Sequence, residues 1–158
     1  MAAQRTDIQP KMQTKRLGPM DQDLAKRLFV TMAEVFGEAS RPLTDGYLRR
    51  LLGREDFWAI AAFADDEIVG GLTAHTLPLI TSESSEIFIY DVAVRNDHQG
   101  KGIGKELVSA LRAAAAEAGI HEAFVAADND DVRALGFYRA LGGAGSPVTL
   151  FTFSGRNV

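Results

Sequence analysis

The sequence predicts an α/β fold: a central mixed sheet of about six to seven strands with helices on both faces. Three observations predict it. Residues 57–63 and 87–94 are almost wholly apolar, as strands buried on both sides are. Residues 103–118 carry apolar side chains at a 3.6-residue period and lie between two strand-like runs, so they read as the helix of a right-handed parallel crossover. The acidic stretch Ala64-Asp65-Asp66-Glu67 separates two apolar runs, which makes that pair an antiparallel hairpin and the sheet mixed.

The elements follow in chain order. Residues 1–12 are polar and aperiodic and are expected to lack order, leaving one domain over residues 13–158. Residues 13–17 are a first strand, ended by Gly18-Pro19. Asp21 or Asp23 caps a helix with Leu24, Leu28, Met32, Val35 and Phe36 on one face. Thr44 or Asp45 caps a shorter helix bearing Tyr47, Leu48, Leu51 and Leu52. The hairpin then runs through residues 57–63 and 68–77, and Pro78 ends it. Ser84 or Ser85 opens the strand that reaches Val94. The long helix presents Ile103, Leu107, Ala110, Leu111, Ala114 and Ala118, and Gly119 stops it. Residues 122–127 form a strand, 131–141 a helix and 148–153 a last strand.

Composition bounds the function. The chain has 158 residues, 46% hydrophobic and 24% charged, and a formal net charge of −4. A mildly acidic balance argues against nucleic acid, which needs a basic footprint. No apolar run reaches the length of a membrane span, and the N-terminal residues lack a signal-peptide core. A cytoplasmic protein is therefore expected. With no cysteine in the sequence, disulfides, thiolate metal sites and a thioester on the enzyme are excluded. The three histidines, His75, His98 and His121, are widely spaced and give no metal-ligand pattern.

The most informative segment is Gln99-Gly100-Lys101-Gly102-Ile103-Gly104, between a strand and a helix. Glycines there let backbone N–H groups approach a ligand, and the helix N-terminus adds unpaired donors and a positive dipole end. This is a phosphate cradle. It is not a P-loop, because neither Gly-Lys pair is followed by Ser or Thr. It is not a dinucleotide fingerprint, because Lys105 stands where the third glycine belongs.

The remaining pattern, Q-x-x-G-x-G, resembles the acetyl-CoA pyrophosphate loop of the GCN5-related N-acetyltransferase (GNAT) superfamily. A second stretch, Asp131-Val132-Arg133-Ala134-Leu135-Gly136-Phe137-Tyr138-Arg139-Ala140-Leu141-Gly142, resembles the same superfamily's N-x-x-A-x-x-F-Y-x-x-L-G-F helix. It departs at Asp131, where Asn is usual, and at Gly143, where Phe is usual. The resemblance implies an acetyl-CoA-dependent fold in which two parallel strands splay around the pantetheine arm. It places the cofactor on Val92, Ala93, Val94, Gln99, Gly100, Lys101, Gly102, Ile103, Gly104, Lys105 and Asp131.

Amine acetylation needs a neutral amine, an oriented thioester and a proton for the leaving thiolate. Asp91, a carboxylate inside an apolar strand just before the cradle, is the candidate base, since an idle Asp there is costly to bury. It alternatively serves to bond a neighbouring loop. Tyr138 matches the superfamily's general-acid tyrosine, and a phenol of pKa about 10 keeps its proton at neutral pH. It alternatively packs on the sheet. Strand alternation puts Glu86 on the opposite face from Asp91 unless a bulge intervenes, as it does in the superfamily. Asp128, Asp130 and Asp131 precede a helix. A cap accounts for one of them, and the surplus reads as an anionic rim for a polycation.

Within the superfamily, residues 86–94, Arg16-Leu17-Gly18-Pro19, residues 63–71, Leu77-Pro78 and the Asp128–Asp131 run resemble the class I aminoglycoside 3-N-acetyltransferases of gentamicin type. That resemblance implies direct transfer to an aminoglycoside amine, with substrate contacts at Glu86, Tyr90, Asp91, Asp128 and Asp130, antibiotic resistance as the outcome, and compatibility with a homodimer. Two alternatives stay open: acetylation of a polyamine or peptide N-terminus, and a non-catalytic acyl-CoA sensor.

Overall fold

The computed structural model describes residues 10–155. They fall into two compact units, one ending at Ala126 and one beginning at Ala127. The first holds a five-stranded sheet, and the second a single helix followed by residues without regular secondary structure.

In the first unit the strands are β1 (Met12–Arg16), β2 (Phe57–Ala64), β3 (Glu67–Pro78), β4 (Ser85–Val94) and β5 (Glu122–Val125), in that spatial order. Neighbours from β1 to β4 are antiparallel, and β4 pairs with β5 in parallel. Three helices accompany them: α1 (Gln22–Phe36), α2 (Asp45–Leu52) and α3 (Ile103–Glu117). The strand count is five, below the six to seven expected, and the expected strand over 148–153 does not form. Its apolar residues stand exposed, Phe153 at 94%. Strand propensity without a partner ladder makes no strand. Order begins before residue 13: Lys11 and Asp65 exchange hydrogen bonds ahead of β1. Residues 1–9 of the expected disordered N-terminus lie outside the described residues.

Strand alternation sorts the core into two layers. Phe57, Ala59, Ala61 and Phe63 of β2 pack with Ala25, Leu28 and Met32 of α1 and Leu48 and Leu52 of α2. The intervening Trp58 and Ile60 face the other way, with Leu72, Ala74, Ile87 and Ile89, where α3 packs through Leu107 and Leu111. Helices therefore cover both faces. Gly71 lets α1 approach: a Cβ there would lie 2.3 Å from Leu28 Cδ1.

Local signals explain the helix ends. Thr44 Oγ1 accepts from the Tyr47 N–H and caps α2. Asp21 occupies the α1 cap position, but its carboxylate accepts from the Gly18 N–H and Lys15 instead. Gly119, in the left-handed region at φ 78°, follows the end of α3. In the second unit, α4 (Val132–Ala140) is capped by Asp131, which accepts from the Ala134 N–H at 2.9 Å.

Candidate active site

The site in the first unit is built around an irregularity in β4. Between β3 and β4, Thr73 pairs with Asp91 and the adjacent Ala74 pairs with Ile89, so Tyr90 is an extra residue in β4. A bulge shifts every later side chain to the other face. Below it, Ile87 and Ile89 face α3. Above it, Asp91 and Ala93 face the α1 side, in register with Thr73 and Gly71. Glu86 and Phe88, opposite Leu77 and His75, lie on that same side. The alternation that separates Glu86 from Asp91 is thus overturned: the bulge brings both carboxylates to one face.

Asp91 is only partly exposed. Its Oδ2 accepts a hydrogen bond of 3.1 Å from the Thr73 hydroxyl, and Thr73 is itself buried. Burial pushes the Asp91 carboxyl above the ordinary carboxylate range. The Thr73 hydrogen bond opposes it, Glu38 reinforces it, and His75 pulls the other way. A carboxylate raised in this manner, in a half-open position, is a better proton acceptor than an exposed one.

His75 and Tyr90 sit beside it in a row of rings. His75 packs on Phe57 at 5.4 Å and edge-on to Tyr90 at 5.8 Å; Tyr90 meets Phe88 at 5.6 Å, and Phe88 stacks on Phe124 of β5 at 5.0 Å.

Beyond Ile89 the two parallel strands part. Their ladder ends at Ile89 with Val125, while β4 continues to Val94. Val92 and Val94 are half-buried there, and Ala93 is in the core. A short 3-10 turn, Asn96–His98, follows β4; nothing in the apolar pattern announced it. Arg95 holds this turn through Asp97, at 2.9 and 3.2 Å, and through Glu67. Gln99 closes it, its amide donating to the Val94 carbonyl at 2.9 Å and to Asn96 Oδ1 at 3.1 Å. The glutamine of the motif therefore shapes the loop.

The cradle itself fits a phosphate. Gly100 and Gly102 have φ of 75° and 83°, a region that disfavours side chains, and a Cβ on either would meet no atom within 4 Å. The space above both is open to a ligand. Gly102 caps α3 without any side-chain partner, so the N–H groups of Ile103, Gly104 and Lys105 lack intrahelical acceptors. Lys101 and Lys105 are exposed beside them. His98 Nδ1 is buried and has no hydrogen-bond partner among the described residues. These features suit the diphosphate of a coenzyme A.

The second unit carries the other candidates. Tyr138 lies on α4, half-buried, with its ring against Phe137 at 5.0 Å. Asp128 Oδ1 accepts from the Asp130 N–H, and Asp131 caps α4. Local structure thus employs two of the three rim carboxylates, where one was expected. Asp130 is exposed. Among the described residues no group of His, Cys, Asp or Glu is arranged to hold a metal ion, and no helix is long and apolar enough to cross a membrane.

Sequence reasoning missed Thr73, Phe88 and Phe124. For Thr73 the signal was its register with β4, which the bulge obscures. Phe88 and Phe124 meet through the parallel pairing of β4 and β5, which has no local sequence signal.

A glycine cradle at the start of α3 and a parallel pair that parts beside it are features that suit an acyl-CoA-dependent acetyltransferase. The chain belongs to the GNAT acetyltransferase family, whose model matches residues 22–142. Members of that family use acetyl-CoA. Two solved structures are similar over nearly their whole length. One is an aminoglycoside acetyltransferase, HMB0005, from an uncultured soil metagenomic sample: 35% identical, TM-score 0.86, covering 91% of this chain and 98% of the other. Another is aminoglycoside acetyltransferase meta-AAC0020, also from uncultured soil, in complex with sisomicin: 32% identical, TM-score 0.87, covering 92% and 97%. The same protein has been solved with trehalose. Among curated proteins, human N-acetyltransferase 8B is 29% identical over 86 residues. The match spans 54% of this chain and 37% of that protein's length.

Proposed function

We propose that this protein transfers an acetyl group from acetyl-CoA to an amine of an aminoglycoside, directly and without an acyl-enzyme. The observation that carries the reading is Asp91, a carboxylate raised above its ordinary range beside Thr73, in the strand that leads into the cradle. The resemblance of residues 86–94 to gentamicin-type enzymes and the likeness to HMB0005 and meta-AAC0020, the latter solved with sisomicin, support the substrate class.

Acetyl-CoA, when bound, supplies an activated acyl group as a thioester. The chain's own residues do the rest. The N–H groups at the start of α3, with Gly100, Gly102, Lys101 and Lys105, hold the diphosphate, and Val92, Ala93 and Val94 line the arm. Asp91 takes a proton from the ammonium form of the acceptor. Tyr138 holds a phenolic proton for the departing thiolate. Glu86, Tyr90, Asp128 and Asp130 contact the cationic acceptor, with the 3-amino group as the target. The absence of cysteine favours direct attack over a thioester relay. We place this activity in one N-acetyltransferase domain over residues 13–158, in the cytoplasm, where it confers aminoglycoside resistance.

CoA release measured against gentamicin, kanamycin, spermidine and a peptide amine tests the reading. Turnover with the aminoglycosides is expected. Turnover confined to spermidine or the peptide overturns the substrate class, and none with any amine overturns catalysis.

A further inference from the structure

The rings beside Asp91 form a surface that amine chemistry alone does not require. His75, Tyr90, Phe88 and Phe124 follow one another at 5.8, 5.6 and 5.0 Å. Register places His75, Phe88 and Phe124 on the sheet face that carries Asp91. As the extra residue of the bulge, Tyr90 has its ring turned onto the same face, against His75 and Phe88. Tyr90 is 62% exposed and Phe124 43%. Phe57, the β2 register partner of His75, packs beside it at 5.4 Å.

Carboxylates border the row. Glu86 and Glu122 are register partners on this face, and neither forms an ion pair among the described residues. Like charges placed side by side are unfavourable, and a bound cation relieves them. Asp91 is at the opposite end.

Resting on the reading above, we propose that this row is a stacking platform for the sugar rings of the acceptor, with Glu86, Glu122 and Asp91 drawing its ammonium groups. An amino sugar presents an apolar ring face and cations at the ring edge. Aromatic faces match the first, and cations over aromatic rings are favourable as well. Rigid rings lose little conformational freedom on binding. A linear polyamine offers charge but no ring face, so the platform makes a cyclic polycation the preferred acceptor.

The test is KM for gentamicin and for acetyl-CoA in Tyr90→Ala and Phe124→Ala, at about 0.05 and 0.5 M salt. Tyr90 is mostly exposed, whereas Phe124 is 43% exposed and stacked on Phe88, so thermal melts accompany the kinetics of both variants. Each variant is expected to raise KM for gentamicin about threefold to tenfold at both salt concentrations, with KM for acetyl-CoA unchanged. In contrast, the effect of Glu86→Gln is expected to fade at high salt. If the parent acetylates gentamicin and both alanine variants keep its KM, the platform is wrong and the substrate reading survives. An equal rise in KM for acetyl-CoA shows a merely structural role and overturns it too. A parent that acetylates no aminoglycoside removes the substrate reading, and the platform with it.

Discussion

Thr73 and Asp91 are register partners at the β4 bulge, and the Thr73 hydroxyl donates to Asp91 Oδ2 at 3.1 Å. This bond favours the ionised carboxylate, against the effect of burial. Thr73→Val removes the donor at nearly constant size, so the Asp91 carboxyl rises further. A base works only when ionised, so activity falls as pH drops through its pKa. The acidic limb of the kcat/KM profile for gentamicin should therefore move to higher pH in Thr73→Val and return in Thr73→Ser. An unmoved limb in the valine variant removes Thr73 from the account.

The same carboxylate should weaken the fold. A carboxyl raised in the native state binds its proton more tightly there than in the unfolded chain. Its contribution is present below the unfolded value, about 3.9, and is lost as pH rises through the native value. Asp91→Asn does not titrate. Its Tm relative to the parent should therefore improve between about pH 4 and pH 7, measured by thermal melts at both. A Tm difference that is flat or falls with pH contradicts the burial of this charge.

At the cradle, Gly102→Ala should act twice. The left-handed φ of 83° makes any side chain costly, by about 1–2 kcal/mol. The added carbon also intrudes on the open space above the loop. Calorimetry should show acetyl-CoA affinity reduced about tenfold or more, with a lower Tm. A lower Tm with unchanged affinity would mean that the loop does not hold the diphosphate.

The three aspartates before α4 should separate. Asp131→Ala removes a helix cap seen in the structure and should lower stability by about 0.5–2 kcal/mol in denaturant titration. Asp130→Asn should leave stability unchanged, but weaken gentamicin binding and reduce its salt sensitivity, because exposed charges are screened over about 8–10 Å. If Asp130→Asn leaves both unchanged, the anionic rim has no binding role.

Much of this architecture is legible in the chain. The 3.6-residue period from Ile103 onward, the apolar run after Asp56 and the acidic turn at Asp65-Asp66 mark α3, β2 and the hairpin to within a residue or two. The cradle is legible because glycine adopts the left-handed backbone of Gly100 and Gly102 most readily. The face of Asp91 is not. Apart from Asp91 itself, residues 87–94 carry no charged side chain to mark a face, so period 2 has no second reference point, and the extra residue Tyr90 shows only in the register with β3. Propensity at 148–153 misleads because a strand depends on a partner. At Asp128 and Asp131, short-range backbone bonding competes with the ligand-binding reading of the same side chains.

The most direct test of the account is a single-turnover measurement of gentamicin acetylation by Asp91→Asn with acetyl-CoA saturating. This substitution keeps the size of the side chain and an acceptor for Thr73 while removing the base. The rate should fall by about 10²–10⁴-fold with acetyl-CoA affinity unchanged. Acetylation at the parent rate would contradict the assignment of Asp91, and with it the proposal that this face of β4 is where the amine is deprotonated.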